Sequence, residues 1–149
     1  MGEVYNKALK FKRIHRGGVV WNLRSHCEVV ETHLNPGEEV IAAFAGQKNE
    51  KFYEIFTTCV VVLTNKRILI GQKRVAWGYF LKSITPDLYN DLSVYQGLIW
   101  GKITIDTVKE VVQLSNLDPR SLVEIETNLS EYLLKMKPDM VCEVKKSEN

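Results

Sequence analysis

The spacing of apolar residues changes at residue 38, and this change constrains the fold more than any other feature of the sequence. Before it, apolar residues recur every three or four positions. From residue 38 to residue 114 they stand instead in short runs rich in β-branched side chains, which suit a pleated, partly buried surface. The connections between these runs are short, so neighbouring strands are expected to pair as antiparallel hairpins.

Seven strands are predicted in this region, over residues 40–45, 55–63, 67–72, 76–84, 91–96, 102–107 and 110–114. The clearest is KITIDT, in which Ile103 and Ile105 alternate with polar neighbours as in a half-buried strand. In the apolar corner GLIWG, Gly97 and Gly101 permit a tight turn or a bulge where the sheet bends.

Helices are predicted on both sides of the strands. Residues 3–16 carry apolar positions at steps of four, three and three with lysines between them, which indicates a short basic amphipathic helix. A second helical pattern over residues 19–34 ends before Pro36, because proline biases its predecessor away from the helical conformation. In residues 118–137, Asp118 suits the cap and Pro119 the first turn of a third helix.

These elements predict a mostly β, α+β fold. The last helix has one apolar stripe and must cover an apolar surface elsewhere. A small antiparallel sheet leaves an open edge or mouth for it to cover. The expected architecture is a bent seven-stranded antiparallel barrel or sandwich, capped by the C-terminal helix and preceded by N-terminal helices. We divide the chain into an N-terminal helical extension (1–36), a β domain (37–137) and a C-terminal tail (138–149).

The order of these motifs is similar to that of a known family. VVVLTNKRILIG, then FLKSITPDLYNDLSVYQGLIWGKITIDT, then a closing amphipathic helix resemble the bacterial pleckstrin-homology (PH) domains of the YokE-like type. The resemblance covers residues 37–137 and implies a PH-like fold, a bent seven-stranded sheet closed at one end by a helix. It further implies an interaction or assembly module, homo-oligomeric in some members, and no catalytic activity.

The resemblance does not extend to phosphoinositide binding. In eukaryotic PH domains that bind these lipids, basic residues line the loop between the first two strands. The equivalent stretch here is GQKNEKFYE, where Lys48 and Lys51 are offset by Glu50 and Glu54. No Lys/Arg-x-Arg cluster is present in it, so we expect no phosphoinositide site there.

The basic charge of the chain is concentrated at its N-terminus. The whole chain has a net charge of +2, which disfavours a general polyanion binder, and its pI of about 8.4 is low for a nucleic-acid-binding protein. Residues 1–24 contain six basic residues against one acidic residue. Five net charges contribute at most about 5 kcal/mol at an anionic membrane. The alternative is that this helix packs on the β domain with its lysines in water.

The TNKR segment raises a similar choice. Asn65 and Lys66 suit a two-residue hairpin turn in which Asn adopts the left-handed conformation and Thr64 faces Arg67. The alternative is a binding site formed by Lys66 and Arg67. Two basic residues contribute only about 2 kcal/mol at an anionic surface, whereas even a millimolar complex needs about 4 kcal/mol. The turn is therefore the favoured interpretation, and the pair remains a candidate contact.

Three aromatic residues are candidate interaction anchors. The predicted strand 76–84 places Trp77 and Tyr79 on one face and Phe80 on the other. Trp100 lies in the glycine corner. Each is either a core residue or an exposed anchor, since Trp and Tyr are enriched at interface hot spots.

The sequence predicts neither an enzyme nor a metalloprotein. His26 and His33 share a helical face with Cys27 nearby, but zinc needs three or four converging ligands, so we interpret them as ordinary, partly exposed helix residues. GxSxG, GxxxxGK and HExxH motifs are absent. We expect no catalytic residue, no cofactor, no nucleic-acid partner and no small-molecule substrate.

The sequence supports two functional hypotheses. The first is a non-enzymatic module that binds a protein partner or forms a homo-oligomer. The second is peripheral binding to an anionic membrane surface through the basic helix, with the contact residues Lys7, Lys10, Phe11, Lys12 and Arg13. A cytoplasmic location is expected, because three scattered cysteines suit a reduced compartment and the N-terminus lacks the apolar core of a signal peptide.

Overall fold

The computed structural model describes residues 2–18, 20–48 and 57–136, which contain three helices and seven strands. The helices are α1 (Glu3–Ile14), α2 (Leu23–Glu31) and α3 (Leu122–Met136). The strands are β1 (Val40–Gln47), β2 (Thr58–Thr64), β3 (Ile68–Lys73), β4 (Tyr79–Ile84), β5 (Tyr89–Gln96), β6 (Gly101–Thr107) and β7 (Val111–Leu117). Short 3-10 turns at Pro86–Leu88 and Pro119–Ser121 precede β5 and α3.

The strands form one antiparallel sheet in the order β4-β3-β2-β1-β7-β6-β5. The halves β1–β4 and β5–β7 join where Gln47 of β1 pairs with Ser115 of β7. β4 and β5 stand at opposite ends of the strand order, so the sheet is bent but not closed into a barrel. The predicted seven-stranded α+β architecture is confirmed, in its open form.

Several boundaries differ from the prediction. α2 begins at Leu23 rather than at residue 19, after Asn22 in the left-handed conformation (φ 52°), and Val19 lies outside the described residues. β4 begins at Tyr79 rather than at residue 76, because residues 75–77 form a bend that ends at Gly78 (φ 80°). Two further segments lie outside the described residues, 49–56 and 137–149. The first contains most of GQKNEKFYE, and the second contains Pro138, where the last helix was expected to end.

The first core lies between the two halves of the sheet. Its members are the inward-facing residues of the strands together with the apolar stripe of α3. Leu122, Ile125, Leu129 and Tyr132 of α3 are all buried, as the helical spacing predicts. Asp118 accepts a hydrogen bond from the Arg120 amide and so caps the 3-10 turn that leads into the helix.

The glycine corner allows α3 to approach the sheet. A Cβ atom on Gly101 would lie 2.5 Å from the Leu122 side chain, closer than any real contact. The first turn of α3 therefore packs against a strand position without a side chain, and a larger residue there would have to displace Leu122. The glycine corner predicted from GLIWG is therefore also the place where the C-terminal helix packs on the sheet.

A second core lies on the other face of β1–β4, beneath α1 and α2. It joins Val4 and Ala8 of α1 and Cys27 and Val30 of α2 to the outward-facing residues of the strands, Val40, Ala43, Val60, Val62 and Leu69. All seven residues of β2 are buried, because β2 is covered on both faces. The N-terminal helices thus form a third layer of the fold.

We expect the α2 layer to contribute to global stability as a core does. Val30→Ala removes two methyl groups from a fully buried position and should lower the free energy of unfolding by about 2 kcal/mol. Val123→Ala is the matched control, because Val123 is exposed on α3 and its loss should change stability by less than about 0.5 kcal/mol. Urea denaturation measures both. Equal, small effects would contradict an integral helical layer.

Candidate functional site

The TNKR segment is a two-residue hairpin turn, as predicted. The Thr64 amide donates to the Arg67 carbonyl (3.0 Å), which places Asn65 and Lys66 at the tip between β2 and β3. Asn65 does not adopt the predicted left-handed conformation, which among the described non-glycine residues occurs at Asn22 and Asn116. Instead, the Thr64 hydroxyl accepts hydrogen bonds from the amides of Lys66 (3.2 Å) and Arg67 (3.0 Å) and holds the turn from within.

The Arg67 guanidinium is held by an internal carboxylate. Its Nε and Nη2 donate to the two oxygens of Glu38 at 2.9 and 3.0 Å, a bidentate pair. Nη2 also donates to the His33 carbonyl (2.9 Å). Because the Glu38 side chain is 0% exposed, this candidate contact residue fastens the turn to the segment that follows α2.

Asn65 fastens the same turn a second time. Its amide donates to the Glu39 carbonyl, and its Oδ1 accepts from the Glu39 amide, both at 3.0 Å. Lys66 is exposed at the tip. No sequence pattern indicates these partners, because Glu38 and Glu39 follow Pro36-Gly37 in a stretch without apolar periodicity and lie 25 or more residues from the turn.

We expect the Glu38–Arg67 pair to make stability depend on acid pH. Its hydrogen bonds to Arg67 lower the pKa of Glu38 from 4.5 to about 2. The folded state therefore favours the ionised form, and this contribution is present above pH 4.5 and lost as the pH falls towards 2. The stability difference between wild type and Glu38→Gln, measured by denaturation at several pH values, should shrink over this range. Glu39→Gln, at the exposed neighbour, is the control, and a pH-independent difference would contradict the account.

The basic helix α1 packs on the sheet, so its apolar side is not free. Val4 and Ala8 are buried in the second core, and the Phe11 ring lies 5.7 Å from that of Phe44. Lys12 Nζ donates to the carbonyls of Gly17 (3.0 Å) and Gly18 (2.7 Å), which holds the chain where it leaves the helix. Of the predicted membrane contacts, Phe11 and Lys12 thus have internal partners.

The other three basic residues of α1 point outward. Lys10 and Arg13 are exposed, and Lys7 is half-buried with its Nζ 3.8 Å from Glu3. Lys7 and Lys10 stand at the rim of a groove of about 220 Å³ between α1, β1 and α3, hereafter the α1 groove. Phe11, Ile14, Ile41, Glu124 and Asn128 are among its lining residues. Ile14 and Ile41 remain 59% and 46% exposed, so the groove presents apolar surface to solvent.

The β3–β4 turn exposes one of the candidate aromatics. Trp77 is 84% exposed and precedes the strand, so it does not share a strand face with Tyr79 as predicted. Tyr79 is partly engaged, because its hydroxyl lies 3.1 Å from His33 Nε2 and the two rings are 4.9 Å apart. Val75 is exposed in the same turn.

Large apolar side chains stand exposed next to one another at the tip of the β5–β6 hairpin (residues 97–100, the β5–β6 tip). Leu98 is 99% and Ile99 70% exposed, and Trp100 and Tyr95 beside them are also exposed. A hydrogen bond from the Gly97 amide to the Trp100 carbonyl (3.1 Å) closes the hairpin. No residue from 97 to 101 carries a charge. Sequence reasoning singled out Trp100 but not Leu98 and Ile99, because GLIWG has the composition of a core segment.

A cleft of about 280 Å³ opens between β3, β4 and β7. Lys48 Nζ lies 3.5 Å from the centre of the Phe80 ring and donates to Gln72 Oε1 (3.2 Å). Burial lowers the pKa of Lys48. Lys82 pairs with Glu110 across the cleft, from β4 to the β6–β7 turn. The walls of this cleft are thus held together by an ion pair.

The three histidines and the two described cysteines, Cys27 and Cys59, form no cluster that could hold a metal ion. His26 is fully buried rather than partly exposed as predicted, and its Nδ1 accepts from the Lys73 amide (2.8 Å). Cys59 is buried in the first core, as expected of an apolar filler. Within residues 2–18, 20–48 and 57–136 no group of three His, Cys, Asp or Glu could hold a metal ion.

The helices in the described part of the chain are too short or too polar to cross a bilayer.

A family comparison agrees with this geometry. The sequence matches the family model "Bacterial PH domain" over residues 34–131, more than half of the chain. The chain belongs to the bacterial PH domain family. The resemblance stated above is confirmed at the level of the family, and the YokE-like subtype stays a prediction. None of the curated proteins matches the sequence.

Two solved structures from Shewanella resemble this bacterial PH domain. One is a pleckstrin homology domain from Shewanella amazonensis SB2B, with a TM-score of 0.50 and 16% identity, over 83% of this chain and 98% of the other. The second is a DUF1696 family protein with a pleckstrin-homology domain from Shewanella loihica PV-4, with a TM-score of 0.49 and 11% identity, over 80% and 97%. At such identities the first likeness shows the fold alone, and the second adds no argument.

Proposed function

We propose that this bacterial PH domain is a non-enzymatic assembly module that binds a second copy of its own chain. The observation that carries the proposal is the β5–β6 tip, where Leu98 and Ile99 stand almost wholly in water beside the exposed Trp100. Solvation of such a cluster is unfavourable, at roughly 25 cal/mol for each Å² of apolar surface. Contiguous exposed apolar residues mark interaction sites more often than isolated ones do.

The open sheet supports the same proposal. β4 and β5 are its terminal strands, and a terminal strand presents backbone donors and acceptors to another chain. β5 also has mostly exposed or half-buried side chains, unlike the fully buried β2. The tip and the strand edge next to it together form a surface that a second copy can cover.

Membrane binding through α1 is the weaker proposal. With its apolar side packed on the sheet, α1 can offer a membrane mainly its outward charges, Lys7, Lys10 and Arg13. Three charges contribute about 3 kcal/mol at an anionic surface, less than the ~4 kcal/mol of a millimolar complex.

A cytoplasmic location forms part of the proposal. Burial raises the pKa of the Cys27 and Cys59 thiols to about 12. Both are unpaired, and such protonated, buried thiols suit a reducing compartment in which no disulfide is required.

We expect the full chain to elute as an oligomer in size-exclusion chromatography with light scattering at micromolar concentration. Replacing Leu98 and Ile99 together by serine should shift the mass towards the 17.1 kDa protomer, because the exposed apolar surface is lost. Val75→Ser, at an exposed valine of the β3–β4 turn, should leave the mass unchanged. A wild-type chain that is monomeric at every concentration would refute self-association.

A further inference from the structure

We propose that protonation of His26 releases the β3–β4 turn from α2, so that this turn responds to mildly acidic pH. The proposal does not depend on the proposed self-association. It rests on two contacts by which α2 holds the two stems of the turn. His26 Nδ1 accepts from the Lys73 amide at the end of β3 (2.8 Å), and His33 Nε2 lies 3.1 Å from the Tyr79 hydroxyl at the start of β4.

The Lys73 amide takes its hydrogen-bond acceptor from α2 and not from a strand. Within the described residues, the β2–β3 ladder ends at Val60 and Gly71, two residues before Lys73. Backbone amides that lose a strand partner are satisfied by side chains or water. Here the His26 side chain supplies the acceptor. A group that can change its protonation state thus takes the place of a backbone carbonyl, which cannot.

This hydrogen bond requires the neutral form of the His26 ring. A backbone amide is only a donor, so Nδ1 is the unprotonated nitrogen and the proton of the neutral ring lies on Nε2. In the charged ring both nitrogens are donors. The Nδ1 proton would then face the Lys73 N–H group, and two donors cannot bond to each other. Protonation of the ring and the hydrogen bond to Lys73 therefore exclude one another.

The surroundings of His26 also favour the neutral ring. His26 is 0% exposed, and its ring lies 5.9 Å from that of Trp21. Gly71 lets α2 approach β3 closely, because a Cβ atom there would lie 2.5 Å from the Val30 side chain and 3.4 Å from the His26 carbonyl. Burial lowers the pKa of His26 from its ordinary 6.5, and the Trp21 backbone offsets this in part. A charged ring is therefore unfavourable as long as the turn stays in place.

No carboxylate in the described part of the chain is positioned to stabilise a charged His26 ring. β2 brings no ionisable group to this face, since Cys59 lies in the first core. Glu28 pairs with Arg24 on the exposed side of α2 (3.4 Å), and Glu31 binds the Val4 amide. The remaining ionisable groups of α2 and of the faces packed against it are Tyr5 of α1, Lys73 of β3, Tyr79 of β4, and Cys27 and His33 of α2.

The turn, and not the helix, is the part that can move. Val30 holds α2 in the second core with 0% exposure, whereas residues 73–79 are all exposed. A hydrogen bond from the Arg74 amide to the Gly78 carbonyl (3.1 Å) closes the turn, so it can move as a unit. It presents Trp77, which is 84% exposed, next to two basic residues. Release from α2 therefore changes how this surface is held.

Acid favours the released state because that state binds the proton more tightly. In the released state the His26 ring is hydrated and its pKa approaches the ordinary 6.5, whereas in the bound state the pKa is lower. The population of the released state should rise by up to about tenfold for each pH unit below 6.5, until the pH reaches the pKa of the buried ring. The Glu38 carboxylate responds in a lower window, between 4.5 and about 2, so the two effects are separable.

Nuclear magnetic resonance of the full chain between about pH 8 and 5, the range in which histidine changes charge, tests the proposal. The chemical shifts of the ring nitrogens report the protonation of His26. Hydrogen exchange of the Lys73 amide, corrected for the intrinsic rate at each pH, reports the hydrogen bond. As the ring titrates, the protection of the Lys73 amide should fall by about tenfold, while Val61 and Val62 in β2 stay protected.

His26→Asn is the matched variant. The asparagine Oδ1 can take the place of Nδ1, and it accepts a hydrogen bond without titrating in this range. The Lys73 amide of this variant should keep its protection over the whole pH range. His33→Asn removes the other contact with the turn and is the control, in which the pH response of the Lys73 amide should remain.

Several results would overturn the proposal. A His26 ring that stays neutral beside an unchanged Lys73 amide would show a contact that acid does not open. Simultaneous loss of protection at Val61 and Val62 would show global unfolding in place of a local release. An unchanged pH response in His26→Asn, or its loss in His33→Asn, would assign the effect to another group. If His26→Asn does not fold, the wild-type titration decides, because it observes the ring and the amide in one protein.

Discussion

The burial of β2 on both faces is the constraint on which the other features of this fold depend. Its inward residues meet β5–β7 and α3, while Val60 and Val62 face α1 and α2. A sheet with only one covered face would expose these valines to water. The N-terminal helices are therefore required by the sheet, and the chain has three layers where a sandwich with a C-terminal helix would have two.

This constraint also decides the role of the N-terminal charges. Because Val4 and Ala8 hold α1 against the sheet, the basic residues of that helix are confined to a fixed outer surface. Lys12 donates hydrogen bonds to the carbonyls of Gly17 and Gly18, in the segment that connects α1 to α2. The same docking brings α1 beside β1 and α3 and so creates the α1 groove. A solvent-facing groove thus arises beside an element whose first role is to cover the core.

Apolar spacing predicted most of the architecture. The runs of β-branched residues predicted the strands, and the apolar stripe of α3 predicted its buried face. Both predictions succeed because burial on one face imposes a regular spacing of apolar residues along the sequence. The predictions failed for residues that form hydrogen bonds with partners far away in the sequence. Asn65 was expected to be left-handed, but its side chain instead pairs with the Glu39 backbone. His26 was expected to be partly exposed, but it is buried and its Nδ1 accepts a hydrogen bond from the Lys73 amide.

The candidate site was less accessible from the sequence than the fold. Leu98 and Ile99 have the composition of core residues, and their exposure follows only from the geometry of a hairpin whose corner is occupied by Leu122. Arg67, by contrast, looked like a free basic residue, but Glu38 holds it. In both cases the deciding fact is a contact or its lack at long sequence separation, which no local pattern encodes.

Native-state hydrogen exchange of the α2 and β2 amides tests the central claim most directly. If the helical layer is integral, the amides of Val29 and Val30 should exchange through the same global opening as those of Val61 and Val62, and a denaturant should accelerate all four in parallel. Rapid exchange of the α2 amides beside slow exchange of those in β2 would show a helical layer that opens by itself, and would contradict a fold that depends on two-sided burial.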